Sequence, residues 1–153
     1  MIRPPSQQHE YDLFWSGDDA ITKPGPDATD EERALFVHRL EVARDTGDWS
    51  HVVNGDPTRF RMRQVPGDVF RKLTDLSGKL GVFSLNHLIV RAALVNVTNL
   101  QGVREVRLVL DDEHGLGRIA APDVPNLLDA IDVGIVNELA NEVARRFITR
   151  PKS

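Results

Sequence analysis

The residues best suited to chemistry by type and spacing are Asp111, Asp112, Glu113 and His114, four oxygen and nitrogen donors in an unbroken row. Consecutive side chains in regular structure cannot converge on one ion, although an irregular oxygen-rich loop can hold Ca²⁺ or Mg²⁺. The alternating ligands and central Gly of a calcium loop are missing. A charged hairpin turn accounts for the same residues. His9, His38, His51, His87 and His114 are scattered and make no zinc-type pair. His87 and Arg91 stand four positions apart on one helix face, where they either line a pocket or reach the surface together. Gly78-Lys79 lacks the upstream Gly of a phosphate loop, and Gly115-Leu116-Gly117 is too short for a dinucleotide fingerprint. The chain has no Gly-x-Ser-x-Gly elbow and no Cys to serve as a nucleophile. No catalytic residue, metal site or cofactor is therefore expected. An enzyme or small-ligand-binding protein built on His87, Arg91 and the acidic turn is the alternative.

Arg59, Arg61 and Arg63 alternate with Phe60 and Met62, so three cations share one face of a strand. They suit phosphate or carboxylate groups, and equally the solvated face of an antiparallel sheet. The overall charge favours the second reading. With 19 Lys and Arg against 23 Asp and Glu, the chain lacks the basic excess of a nucleic-acid binder. Charge is unevenly spread: Glu10, Asp12, Asp18, Asp19, Asp27, Asp30, Glu31 and Glu32 face only Lys23 early on, and Arg145, Arg146, Arg150 and Lys152 close the chain. That polarity fits head-to-tail association, and the basic end also suits a helix dipole.

The elements that must position these groups are legible from periodicity. At 153 residues, with 41% apolar and 27% charged residues, the chain has the size and composition of one globular domain. Pro4, Pro5, Pro24, Gly25 and Pro26 break up residues 1–28, leaving the aromatic segment Tyr11-Asp12-Leu13-Phe14-Trp15 between them. Thr29 with Glu32 forms a capping box for a helix from about Asp30, which ends at Thr46-Gly47-Asp48. Leu35, Phe36, Leu40 and Ala43 recur at helical spacing along it. A strand follows over 58–65, then a short helix capped by Asp68. A central helix runs from Leu85 to about Val97 behind Ser84. Val103–Leu110 reads as a second strand, and short and long helices start near Asp123 and Asp132. The expected fold is mostly helical α+β, with four to five helices, a small antiparallel sheet and an extended N-terminal arm. Its division is an arm over 1–28 and one domain over 29–150.

Two apolar sets are candidates for partner binding. Tyr11, Leu13, Phe14 and Trp15 either wrap back over the chain's own core or dock onto a neighbouring subunit. Val136, Leu139, Ala140, Val143 and Phe147 form a stripe that is either core or an oligomer seam. With no Cys, disulfides and thiolate metal sites are excluded. Neither a signal-peptide core nor a membrane-length apolar run is present, so a cytoplasmic protein is expected.

The order of segments carries a resemblance. A Glu-rich helix is followed by Thr46-Gly47-Asp48-Trp49, then Asp56-Pro57-Thr58-Arg59-Phe60-Arg61-Met62-Arg63-Gln64-Val65-Pro66. Leu94-Val95-Asn96-Val97-Thr98-Asn99-Leu100, Gly115-Leu116-Gly117-Arg118-Ile119 and Val136-Asn137-Glu138-Leu139-Ala140-Asn141-Glu142-Val143 complete it. Over roughly residues 30–148 this resembles the small morphogenesis proteins of tailed bacteriophages, most nearly tail assembly chaperones and small tail-associated proteins. The resemblance implies a self-associating, mainly helical protein that binds a tape-measure protein or a tail tube subunit in the bacterial host cytoplasm. Such chaperones often carry a flexible tail or frameshifted extension, whereas this chain ends shortly after its last helix. A permanent virion component of tail, neck or baseplate, locked by its N-terminal arm, is the structural alternative.

Overall fold

The computed structural model describes residues 10–65, 67–76, 78, 79, 81–100, 107–111, 116–120 and 131–149. Side chains within 101–130 and beyond 146 lie outside that description, as do those of Leu76, Val82 and Phe83. The architecture is α+β. Four helices, α1 (Asp30–Thr46), α2 (Gly67–Leu76), α3 (Val82–Ala93) and α4 (Val133–Thr149), accompany strands β1 (Glu10–Leu13), β2 (Arg59–Arg63) and β3 (Leu94–Thr98). A separate antiparallel hairpin pairs β4 (Arg107–Asp111) with β5 (Leu116–Ala120).

The sheet has the order β1-β2-β3 and is antiparallel throughout. Its two faces follow from the two-residue period. Leu13 lies opposite Phe60 and Tyr11 opposite Met62, all turned to the core, while Glu10 and Asp12 lie opposite Arg63 and Arg61 on the other face. Between β2 and β3 the register slips: Arg61 faces Asn96 and Met62 faces Leu94, leaving Val95 without a cross-strand partner. Phe60, Met62, Leu94 and Val97 are buried on the inner face. Against it pack α3, through Leu88 to Ala93, and α4, through Val136, Leu139, Ala140 and Val143. Asn86 Nδ2 donates to Asn137 Oδ1 at 2.9 Å, tying α3 to α4.

Local signals explain most element ends. The amide of Glu32 donates to Thr29 Oγ1 at 3.2 Å, so Thr29 caps α1. At the other end Gly47 sits at φ 77° and its amide bonds Ala43 O at 2.8 Å. A side chain there would be strained, which is why Gly ends this helix. Asp132 Oδ1 accepts from the Gly134 amide at 2.9 Å and caps α4.

Three expectations are corrected. Helix α2 starts at Gly67, placing Asp68 in its first turn rather than before it. Helix α3 starts at Val82, with Gly81 as a cap that makes no side-chain hydrogen bond, so Ser84 is internal. The apolar run from Leu85 is not one helix to Val97. It turns into β3 at Leu94, whose ψ of 124° is already extended. Valines at 95 and 97 and Thr98 favour the pleated backbone, and a run apolar on every side has no period to mark the change. The expected strand before Arg107 and the helix near Asp123 fall outside the described residues.

One close approach has a measurable consequence. A Cβ at Gly17 would come within 2.4 Å of the Trp15 indole, which lies over it. Gly17→Ala is expected to displace that ring toward solvent. The check is a red-shifted Trp15 emission in a Trp49→Phe background, against an unshifted spectrum in the same background with Gly17 intact.

Candidate interaction surface

The aromatic segment takes the first of its two expected courses and wraps back over the chain's own core. Leu13 is 1% exposed and Phe14 5%, and Phe14 meets Trp49 edge to face at 4.8 Å between ring centres. Trp15 is half-buried over Gly17. Ile21 joins the same cluster, so residues 10–21 complete the domain that the boundary at 28 separated from them. The C-terminal stripe is likewise interior: Val136, Leu139 and Val143 are all buried. Leu13, Phe14, Val136, Leu139 and Val143 are thus occupied within the fold. The physical reason is that β1 covers an open edge of β2, and α4 covers the apolar face of the sheet. Phe147 belongs to α4, but its side chain lies outside the described residues.

Tyr11 is held differently. The Arg146 guanidinium stacks on its ring at 4.0 Å, and burial pushes its phenol up to about 12, against the pull of that cation. Tyr11 is the chain's one tyrosine. Its ionisation, followed at 295 nm, is expected near pH 12 in the folded protein and near pH 10 after denaturation. Because the unfolded chain loses this proton first, the associated stability is intact below pH 10 and is lost as pH rises toward 12. A native titration at pH 10 would show that the ring is not buried as described.

Beneath Tyr11 lies a polar cluster that sequence patterning did not single out. The buried Glu142 carboxylate takes Arg145 Nη2 at 2.6 Å and Arg145 Nε at 2.9 Å. Arg146 Nε is 3.3 Å from Glu142 Oε1, an ion pair without hydrogen-bond alignment. Arg145 also reaches Asp45 Oδ1 at 2.8 Å, and Arg146 donates to the Arg44 carbonyl. One turn earlier, Glu138 accepts from the Ser16 amide at 2.7 Å and from Ser16 Oγ at 2.5 Å, and faces Arg44 at 3.6 Å. The cluster fastens the segment after β1 and the C-terminal end of α1 to α4. Spacing along α4 marks its members: Glu138, Glu142, Arg145 and Arg146 recur at three and four residues.

The remaining candidates resolve as follows. Arg61 bridges Glu10 at 3.0 Å and Asp12 at 3.2 Å, Arg59 lies 3.5 Å from Asp12, and Arg63 Nε donates to the Ala92 carbonyl at 3.0 Å. Bonds to the two carboxylates push the Arg61 guanidinium above its ordinary range. Arg59 and Arg61 thus neutralise the acids of β1. His87 is half-buried and Arg91 buried on α3. Asp111 ends β4, and Asp112 to His114 fall outside the described residues. Among the described residues no group of three His, Asp or Glu could hold a metal, and no helix is long and apolar enough to cross a membrane.

What lies open is α1. Of its 17 residues only Leu40 and Ala43 are buried, while Leu35, Val37 and Val42 are 47%, 52% and 44% exposed. Of the four apolar residues that recur at helical spacing, Leu40 and Ala43 are buried and Phe36 packs against the core, while Leu35 does not. A groove of about 200 Å³ runs beside it, with Pro24, Phe36 and Val52 as apolar lining and Glu32, Leu35 and Arg39 along the helix. Comparison of the chain with family models, curated proteins and solved structures finds no match.

Proposed function

We propose that the protein is a non-enzymatic phage morphogenesis protein that works by contacts with other proteins, most nearly a tail assembly chaperone. The observation that supports a contact role is the exposure of Leu35, Val37 and Val42 on α1, a helix with little of its surface spent on its own fold. Such a helix is marginal in water alone and gains from a partner's apolar surface. The partner face is accordingly α1, not the Tyr11–Trp15 segment or the stripe of α4. A tape-measure protein or a tail tube subunit is the partner class that the resemblance implies.

The test is co-expression of the tagged chain with the tape-measure and tube proteins of a tailed phage that encodes it. Recovery of either partner, lost on Val37→Asp and accompanied by absence of the chain from purified particles, is the expected result. Failure to retain either would overturn the chaperone reading. Stoichiometric copies in finished particles would replace it with a virion component, although one not locked by residues 10–13, which pair within the chain.

A further inference from the structure

Nothing described in the fold covers the outer half of α1. From Asp30 to Arg39 every residue is exposed except the half-buried Phe36. Leu35 therefore stands as a knob on the rim of a groove floored by Pro24, Phe36 and Val52. A patch holding both a knob and a hole is what a twofold contact between identical copies requires.

The charges on the same face choose the direction. At about 100° per residue, Glu31 and His38 flank Leu35 on one side, and Glu32 and Arg39 flank it on the other. A twofold axis across the helix at Leu35 runs the second α1 antiparallel. It sets Leu35 beside its counterpart at the rim of the second copy's groove, Glu31 across from the second copy's His38, and Glu32 across from the second copy's Arg39. Each pair occurs twice, and all four side chains are exposed. Val42, two turns beyond Leu35, meets the start of the other helix near Ala28. A parallel arrangement would instead set Glu32 against the second copy's Glu31 and Arg39 against the second copy's His38, which is unfavourable.

We propose that the chain dimerises through α1, two copies packing antiparallel across Leu35, each leucine entering the other's groove. This rests on the contact role of α1 and names a second copy as the occupant of its Leu35 side. Three helical turns bury less than the roughly 800 Å² per partner of a standard interface, so micromolar affinity is expected.

Sedimentation velocity on the full chain, from about 1 to 300 µM, tests this against the micromolar range. The wild type is expected to show a monomer–dimer equilibrium, and Leu35→Glu to be monomeric throughout. Arg39→Glu should weaken association at least about tenfold by opposing Glu32. The exchange Glu32→Arg with Arg39→Glu should restore it to within about threefold, because the pairs re-form in reverse. Circular dichroism confirms that each variant is folded, as expected for exposed positions. A monomeric wild type, a dimer that survives Leu35→Glu, or an exchange variant as weak as Arg39→Glu each overturns the proposal. A monomeric chain that still captures a tail protein overturns the dimer alone and leaves the morphogenesis reading standing.

Discussion

Deleting residues 1–28 is expected to abolish folding rather than release an intact domain. The deletion removes Leu13, Phe14 and Ile21, which are 1%, 5% and 2% exposed. Truncating one such buried side chain to Ala typically costs about 2–5 kcal/mol. Three together approach or exceed the roughly 5–15 kcal/mol that holds a domain folded. The loss goes beyond packing, because β1 supplies all the pairing on one edge of β2. Without it the sheet falls to two strands, Phe60 and Met62 lose Leu13 and Tyr11 on one side, and Trp49 loses Phe14. The truncated chain should lack near-ultraviolet circular dichroism and a cooperative melt. Leu13→Ala in the full chain should retain both, with stability lowered by about 2–5 kcal/mol. A truncated chain that melts cooperatively would show that residues 1–28 are an appendage after all.

Glu142→Ala is the second substitution with a large expected effect. The carboxylate is buried and is shared by Arg145 and Arg146. Breaking a buried pair from one side leaves the other charge without its partner and costs about 3–5 kcal/mol. Here the lower end applies, since Arg145 keeps Asp45 and Arg146 keeps the Arg44 carbonyl and the Tyr11 ring. At about 2–4 °C per kcal/mol for a chain of this size, the melting temperature should fall by roughly 6–12 °C. By contrast, Arg61→Ala removes bridges to the partly exposed Glu10 and Asp12 and should change stability by less than about 1 kcal/mol. Equal small effects for the two would mean that the Glu142 cluster is as well solvated as the sheet's outer face.

The acids of β1 show a signal that was present but unused. Glu10 and Asp12 alternate with Tyr11 and Leu13 at the same period as Arg59, Arg61 and Arg63 alternate with Phe60 and Met62. Opposite charges at matching spacing on two short strands are what an antiparallel pair brings together. In the structure they are opposed, Asp12 to Arg61 and Glu10 to Arg63. The exposed character of Leu35 had no comparable signal. Its position in a helical apolar pattern is the same whether the neighbouring layer extends that far or stops two turns short.

By itself the sequence determined what depends on neighbours along the chain. The cap at Thr29, the left-handed Gly47, the alternating faces of β2 and the single apolar stripe of α4 all rest on local dihedral preference and side-chain period. The tertiary structure alone decided what depends on which surfaces meet. Packing against α4 and β2 turned Tyr11, Leu13 and Phe14 toward the core, pairing with β2 drew Leu94 to Thr98 out of a helix, and the limited reach of the core left Leu35 in water. Apolar character records that a side chain gains by leaving water, and only the assembled layers determine whether its own chain is what it meets.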